Sequence, residues 1–252
     1  MELKKAAIQH KGLLSKIGLV VVILIVFAIM LQRPVNSDYI DLWIKAAGYT
    51  VLISIVAILM GFGLGIVIGL GRTSKNFLIN GAATVYVEIL RGTPLLIQIF
   101  FLYFTLAIYI PSNHDPLLPA ILALGLNSAA YQAEIIRGGI QSIPKGQMEA
   151  ARSSGMSYLQ AMRHVILPQG FRLIIPSMTN EYVTVIKDSS LAYAIGAFEI
   201  TYFSTKVIVY EAQPMITFLF VALLYFTLTT FTSNIMRLVE RKFRIPGYMG
   251  AE

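Results

Sequence analysis

The sequence predicts an all-α, polytopic membrane protein with six transmembrane helices, and three observations lead there. Hydrophobic residues make up 56% of the 252 and charged residues only 13%, against about 25% in soluble domains; mean hydropathy is +0.71. Residues 17–31, 51–70, 95–110 and 215–231 carry no formal charge, and with their flanks they approach the roughly 20 residues that a helix needs to cross a bilayer. Basic residues gather in alternate loops: Lys4, Lys5, Lys11 and Lys16 before the first span, Arg72 and Lys75 after the second, Arg137, Lys145, Arg152 and Arg163 after the fourth, Arg237, Arg241, Lys242 and Arg244 after the last. The intervening loops hold little more than Arg33, Lys45 and Lys206, so the positive-inside rule places both termini in the cytoplasm. The net charge of +7 thus sets topology, and no nucleic-acid partner is expected.

The first span, residues 13–31, ends at Gln32-Arg33-Pro34, because a residue before proline is pushed out of the helical region. It has the basic start and apolar stretch of a signal peptide but no small-residue cleavage pattern, so it reads as a retained helix. An external loop over 35–42 follows, and Tyr39 and Trp43 are aromatics of the type that settle at headgroup level. Span two, residues 45–70, carries Gly61, Gly65 and Gly69 on one face, where missing side chains let a neighbouring helix approach.

Span three, residues 84–110, contains Arg91-Gly92-Thr93-Pro94. Proline removes a donor and crowds the preceding turn, so this is a candidate hinge or gate at Arg91, Gly92 and Pro94; the alternative is a plain helix start at Pro94. Span four, residues 117–136, is too polar in its second half for lipid, with Asn127, Ser128, Tyr131, Gln132 and Glu134. Span five, residues 168–198, holds Asn180, Glu181, Thr184, Lys187, Asp188, Ser189 and Ser190, and Pro176 and Gly196 suggest irregular backbone. Span six, residues 214–236, is apolar and aromatic.

Between spans four and five lies a polar insert, residues 141–167. Pro144 suits a helix start, Gly155 a left-handed stop, and Ser157 with Gln160 has capping-box spacing, which predicts two short helices. Each is too short to be stable alone in water and must pack on something, either a partner or the membrane surface. His10, His114 and His164 stand alone, without a spacing that suits metal or catalysis, and the chain has no cysteine. Gly71-Arg72-Thr73 imitates a phosphate-binding loop but has Ile66 at the first glycine and arginine for lysine, so no nucleotide site is expected.

Glu149-Ala150-Ala151, Gly155 and Leu167-Pro168 resemble the EAA loop of ATP-binding-cassette importer permeases, with Val165 where the pattern usually has isoleucine. Arg91-Gly92-Thr93-Pro94-Leu95, Glu134 through Ile140, Gly146-Gln147 and Lys187 through Leu191 are similar to the permeases for polar amino acids, the histidine, glutamine, glutamate and arginine group. The resemblance runs from about Gly48 to Arg244.

It implies a five-helix type I importer core over residues 48–244 behind an N-terminal unit over 1–47, with a cytoplasmic tail over 245–252. It also implies a coupling helix in which Glu149, Ala150, Ala151, Arg152 and Gly155 meet an ATPase. The implied partners are two ATPase subunits, a second permease subunit, identical or homologous, and an extracytoplasmic amino-acid-binding protein, at a bacterial or archaeal cell membrane. ATP and Mg would belong to the ATPase, and this chain would hold no cofactor and catalyse nothing.

A zwitterionic cargo needs an acceptor for its ammonium and donors for its carboxylate. Gln98, Asn127, Tyr131, Glu134, Glu181, Thr184, Lys187 and Asp188 are the candidate substrate pathway; the alternative is that Lys187 neutralises Asp188 and that Arg137 and Glu134 anchor the cytoplasmic end of span four. A surplus of carboxylates favours a basic amino acid. The alternative of another class is a gradient-driven carrier or channel using Glu134, Glu181 and Asp188 for ion coupling. An intramembrane hydrolase would need a nucleophile and base at one depth, and none is recognisable.

Overall fold

A computed structural model describes residues 37–110 and 115–243. The predicted first span, His10, His114 and the C-terminal tail lie outside the described residues. Helix α1 spans Ser37–Gly71, α2 Phe77–Gly92, α3 Leu95–Tyr109 and α4 Leu117–Gln141. Helix α5 covers Lys145–Ser153, α6 Tyr158–Ala161, α7 Leu167–Asp188, α8 Ile200–Glu211 and α9 Pro214–Phe243. A π segment, Met162–Ile166, joins α6 to α7, and a 3-10 segment, Ser189–Ile195, follows α7.

Helix α4 is the centre, packed against α1, α2, α3 and α7. The glycine face of α1 meets it at backbone distance. A Cβ added at Gly69 would lie 2.8 Å from the Ala133 carbonyl oxygen, and one at Gly65 would lie 3.3 Å from the Ala129 carbonyl. The four-residue spacing therefore serves as a packing face, which no larger residue would allow.

Tyr39–Gly71 and Pro214–Phe243 are each long and apolar enough to cross a bilayer unaided, and Phe77–Gly92 with Leu95–Tyr109 passes the same test as a pair bent by 106°. Helices α4 and α7 carry too much polar surface to pass, so their neighbours must shield them.

The structure differs from the sequence reading at several points. Helix α1 begins at Ser37, so no loop occupies 37–42. Trp43 is buried edge-on between Phe203 and Phe220, because an indole offers a large apolar area to a core cluster with Ile200 and Val221. Span three is two helices that break at Thr93-Pro94, within the expected hinge, and the first of them starts at Phe77, earlier than residue 84. The second insert helix does not stand alone but runs through the π segment into α7, and Pro176 does not interrupt α7. Helix α8 lies in a stretch read as an extracytoplasmic connection. It is capped by buried Glu199, which accepts from the amides of Thr201 at 2.8 Å and Tyr202 at 2.6 Å and from the Tyr225 hydroxyl at 2.6 Å.

Candidate functional site

The insert folds as its punctuation predicts. Pro144 precedes α5, and beyond it Gly155 takes φ +85°. Met156 N donates to Ala151 O at 3.2 Å and Gly155 N to Arg152 O at 3.1 Å, the paired bonds of a Schellman stop. Ser157 N then donates to Gln160 Oε1 at 2.7 Å while Gln160 N donates to Ser157 Oγ at 3.2 Å, a closed capping box. Arg152 Nη1 donates to Met156 O at 2.9 Å, so its guanidinium braces the turn. Ala151 is buried against the rest of the insert, while Glu149, Ala150 and Gly155 are exposed. On α6 the sequence reading missed Leu159, which stands 77% exposed beside them.

Deeper in the fold, a cavity of about 460 Å³ opens where the α2–α3 break faces α4 and α7. Thr93, Pro94 and Leu95 line it from the break, Leu124, Asn127, Tyr131 and Ile135 from α4, and Ser177, Asn180, Glu181, Thr184, Val185 and Asp188 from α7. The four-residue rhythm of 127, 131 and 135 and of 177, 181 and 185 places these side chains on single helix faces. Among the described residues, two carboxylates and no cation line the cavity.

Five candidates therefore converge: Asn127, Tyr131, Glu181, Thr184 and Asp188. The other three are placed elsewhere. Gln98 closes the break from behind, with Nε2 donating to Leu90 O at 2.8 Å and to Thr93 Oγ1 at 2.9 Å and Oε1 accepting from Asn127 Nδ2 at 3.1 Å. Lys187 is exposed outside the lining. Glu134 sits among three arginines: it accepts from Arg72 and Arg137, and Arg91 Nη1 lies 4.0 Å away. Arg72 also lies 3.7 Å from Glu88, and the Arg91 guanidinium stacks 5.1 Å over the Tyr131 ring, which joins this charge cluster to the cavity wall.

Sequence reasoning paired Arg137 with Glu134 from their one-turn spacing but missed Arg72, which is 62 residues away and brought there by the glycine seam. Thr93, Ser177 and Asn180 were not among the site candidates, although Ser177 and Asn180 share the helical register of Glu181 and Thr184.

The chain matches the family model described as "Binding-protein-dependent transport system inner membrane component" over residues 61–245. It is 35% identical over 230 residues to the glutamate/aspartate import permease protein GltJ of Escherichia coli strain K12, covering 86% of this chain and 93% of that protein. It is 38% identical over 200 residues to the probable amino-acid ABC transporter permease protein YckA of Bacillus subtilis strain 168, covering 79% and 88%. Among solved structures, the crystal structure of an amino acid ABC transporter with histidines superposes with a TM-score of 0.76 at 35% identity, covering 81% of this chain and 95% of the other. An inward-facing MetNI methionine ABC transporter shares the fold, with a TM-score of 0.74 at 20% identity over 83% of this chain and all of the other.

Proposed function

From a chain that belongs to the family of binding-protein-dependent transport system inner membrane components, we infer that the cavity beside Glu181 is the path of a polar amino acid and that the α5 insert is the surface on which an ATPase docks. The chain is the membrane-spanning permease subunit of an ATP-driven amino-acid importer. It is not an enzyme; a separate ATPase subunit hydrolyses ATP, and a binding protein delivers cargo. The gradient-driven alternative finds no support in this family.

The single observation that carries the docking assignment is the form of the insert. A short helix fixed at both ends by a proline start and a Schellman stop presents Glu149 and Ala150 to solvent, and small residues there permit close approach by a partner helix or groove. Beyond the Gly155 turn, α6, the π segment and α7 form one helical run to Glu181 and Asp188. Movement of the docked ATPase would therefore reach the cavity wall across one braced turn and then through continuous helix.

Two permease chains, identical or homologous, two ATPases holding ATP and Mg, and one extracytoplasmic binding protein complete the proposed assembly, with both termini of this chain in the cytoplasm. Nucleotide below and loaded binding protein above must each favour a different state of the cavity, since a ligand shifts a conformational equilibrium only by its differential affinity. Within the cavity, Glu181 and Asp188 are the acceptors for ammonium or guanidinium groups, and the Tyr131, Asn180 and Thr184 side chains supply neutral donors. Two carboxylates without a lining cation favour a basic amino acid.

The test is ATP-driven uptake into vesicles holding the whole complex. Ala150→Arg adds bulk and charge to an exposed position, so the subunit stays folded while uptake falls by at least about tenfold and ATPase co-purification is lost. Full uptake by Ala150→Arg removes the docking assignment.

A further inference from the structure

Glu181 is wired to the interior. Its Oε1 accepts a 2.7 Å hydrogen bond from the Ser128 hydroxyl, and Ser128 Oγ accepts one of 3.0 Å from Gln132 Nε2. Gln132 is fully buried; its Nε2 also donates toward Ile58 O at 3.4 Å, and its Oε1 has no partner among the described residues. Turning the amide over would set Oε1 against the Ile58 carbonyl, acceptor to acceptor, so the backbone of α1 dictates which way the amide points. With Ser128 Oγ already accepting from that amide, its one proton is directed at Glu181. Glycine makes the room: a Cβ at Gly61 would lie 2.7 Å from Gln132 Nε2, and one at Gly65 2.9 Å from Gln132 Cβ.

Resting on the reading of the cavity as the cargo path, we propose that Ser128 and Gln132 are positioning residues that hold Glu181 by Oε1 so that Oε2 faces the cationic group of an amino acid. Neither residue lines the cavity, so both act through the carboxylate. A buried, hydrogen-bonded second layer of this kind fixes a side chain's orientation before cargo arrives, which strengthens binding without adding a contact.

The experiment measures binding of radiolabelled L-arginine, L-histidine, L-glutamine and L-glutamate to the purified permease–ATPase complex without binding protein, with thermal unfolding recorded in parallel. Ser128→Ala should weaken the tightest of the four by about tenfold, and Gln132→Met, which keeps the volume and removes the donor, by about threefold. Glu181→Gln should weaken it more, and on that background both substitutions should lose most of their effect, because the charge that they aim at the cargo is gone.

A purely structural role would lower the unfolding temperature and add its full cost on either background. Undiminished effects in the Glu181→Gln complex, or Ser128→Ala binding equal to the unmutated complex, overturn the relay while leaving the cavity assignment intact. Failure of the unmutated complex to bind any of the four, or indifference to Glu181→Gln, overturns the cavity assignment itself and the relay with it.

Discussion

The two faces of α4 do opposite things. One face, through Ala129, Gln132, Ala133 and Ile136, lies against the glycines of α1 so closely that backbone meets backbone. The other, through Asn127, Tyr131 and Ile135, borders an open polar cavity. A seam with no room for a methyl group has no alternative register, so α1 and α4 are expected to move as one body, whereas the cavity side has space to change. On the proposed cargo path, rearrangement would fall where α7 and the α2–α3 break meet α4.

Substitutions sort the two faces by size of effect. Gly69→Leu places its Cβ 2.8 Å from a backbone oxygen that cannot yield, so overpacking there should exceed the usual 1–3 kcal/mol and leave no monodisperse protein on size-exclusion chromatography. A well-folded Gly69→Leu protein would break the claim that the seam is rigid.

Glu134→Ala comes next. It leaves Arg72, Arg91 and Arg137 crowded without their shared carboxylate, a loss of about 2–4 kcal/mol for a partly buried cluster that thermal unfolding in detergent would register. On the open face, Thr184→Leu should cut uptake about tenfold while changing stability by under about 0.5 kcal/mol, because Thr184 is exposed and lines the cavity. A large stability loss there would show the cavity wall to be packed like the seam.

The smallest effect separates adjacent glycines of α4. A Cβ at Gly138 meets nothing within 4 Å, whereas one at Gly139 meets Ile174 Cγ2 at 2.1 Å and Gly170 O at 3.1 Å. Gly138→Ala should therefore raise stability by about 0.5 kcal/mol, and Gly139→Ala should lower it, both read by the same unfolding assay.

Much of this was legible in the sequence because the signals were local. Gly61, Gly65 and Gly69 announce a face by spacing alone, Pro94 announces a break, and Gly155 with Ser157 and Gln160 announces a stop and a restart. What stayed hidden depends on residues far apart in the chain. Arg72 meets Glu134 only because the seam brings the ends of two helices together. Ser128 and Gln132 read as polar residues of a wet helix, yet Gln132 points into the glycine notch, which periodicity alone does not reveal. Helix α8 was missed because its cap, Glu199, has its partner hydroxyl 26 residues later, on Tyr225. The separate second insert helix was a wrong expectation for a different reason. Proline at 168 signals a boundary, but a π turn leads straight into α7 and the helix runs past it.

From Tyr158 to Asp188 the helix never stops, which at 1.5 Å per residue is a strut about 45 Å long. Such length works as a mechanical lever: a tilt of about 5° at the cytoplasmic end swings the other end by about 4 Å, on the order of one side chain's reach. If the insert docks an ATPase as proposed, a small stroke there would be enlarged at the cavity to the scale of a single side-chain contact.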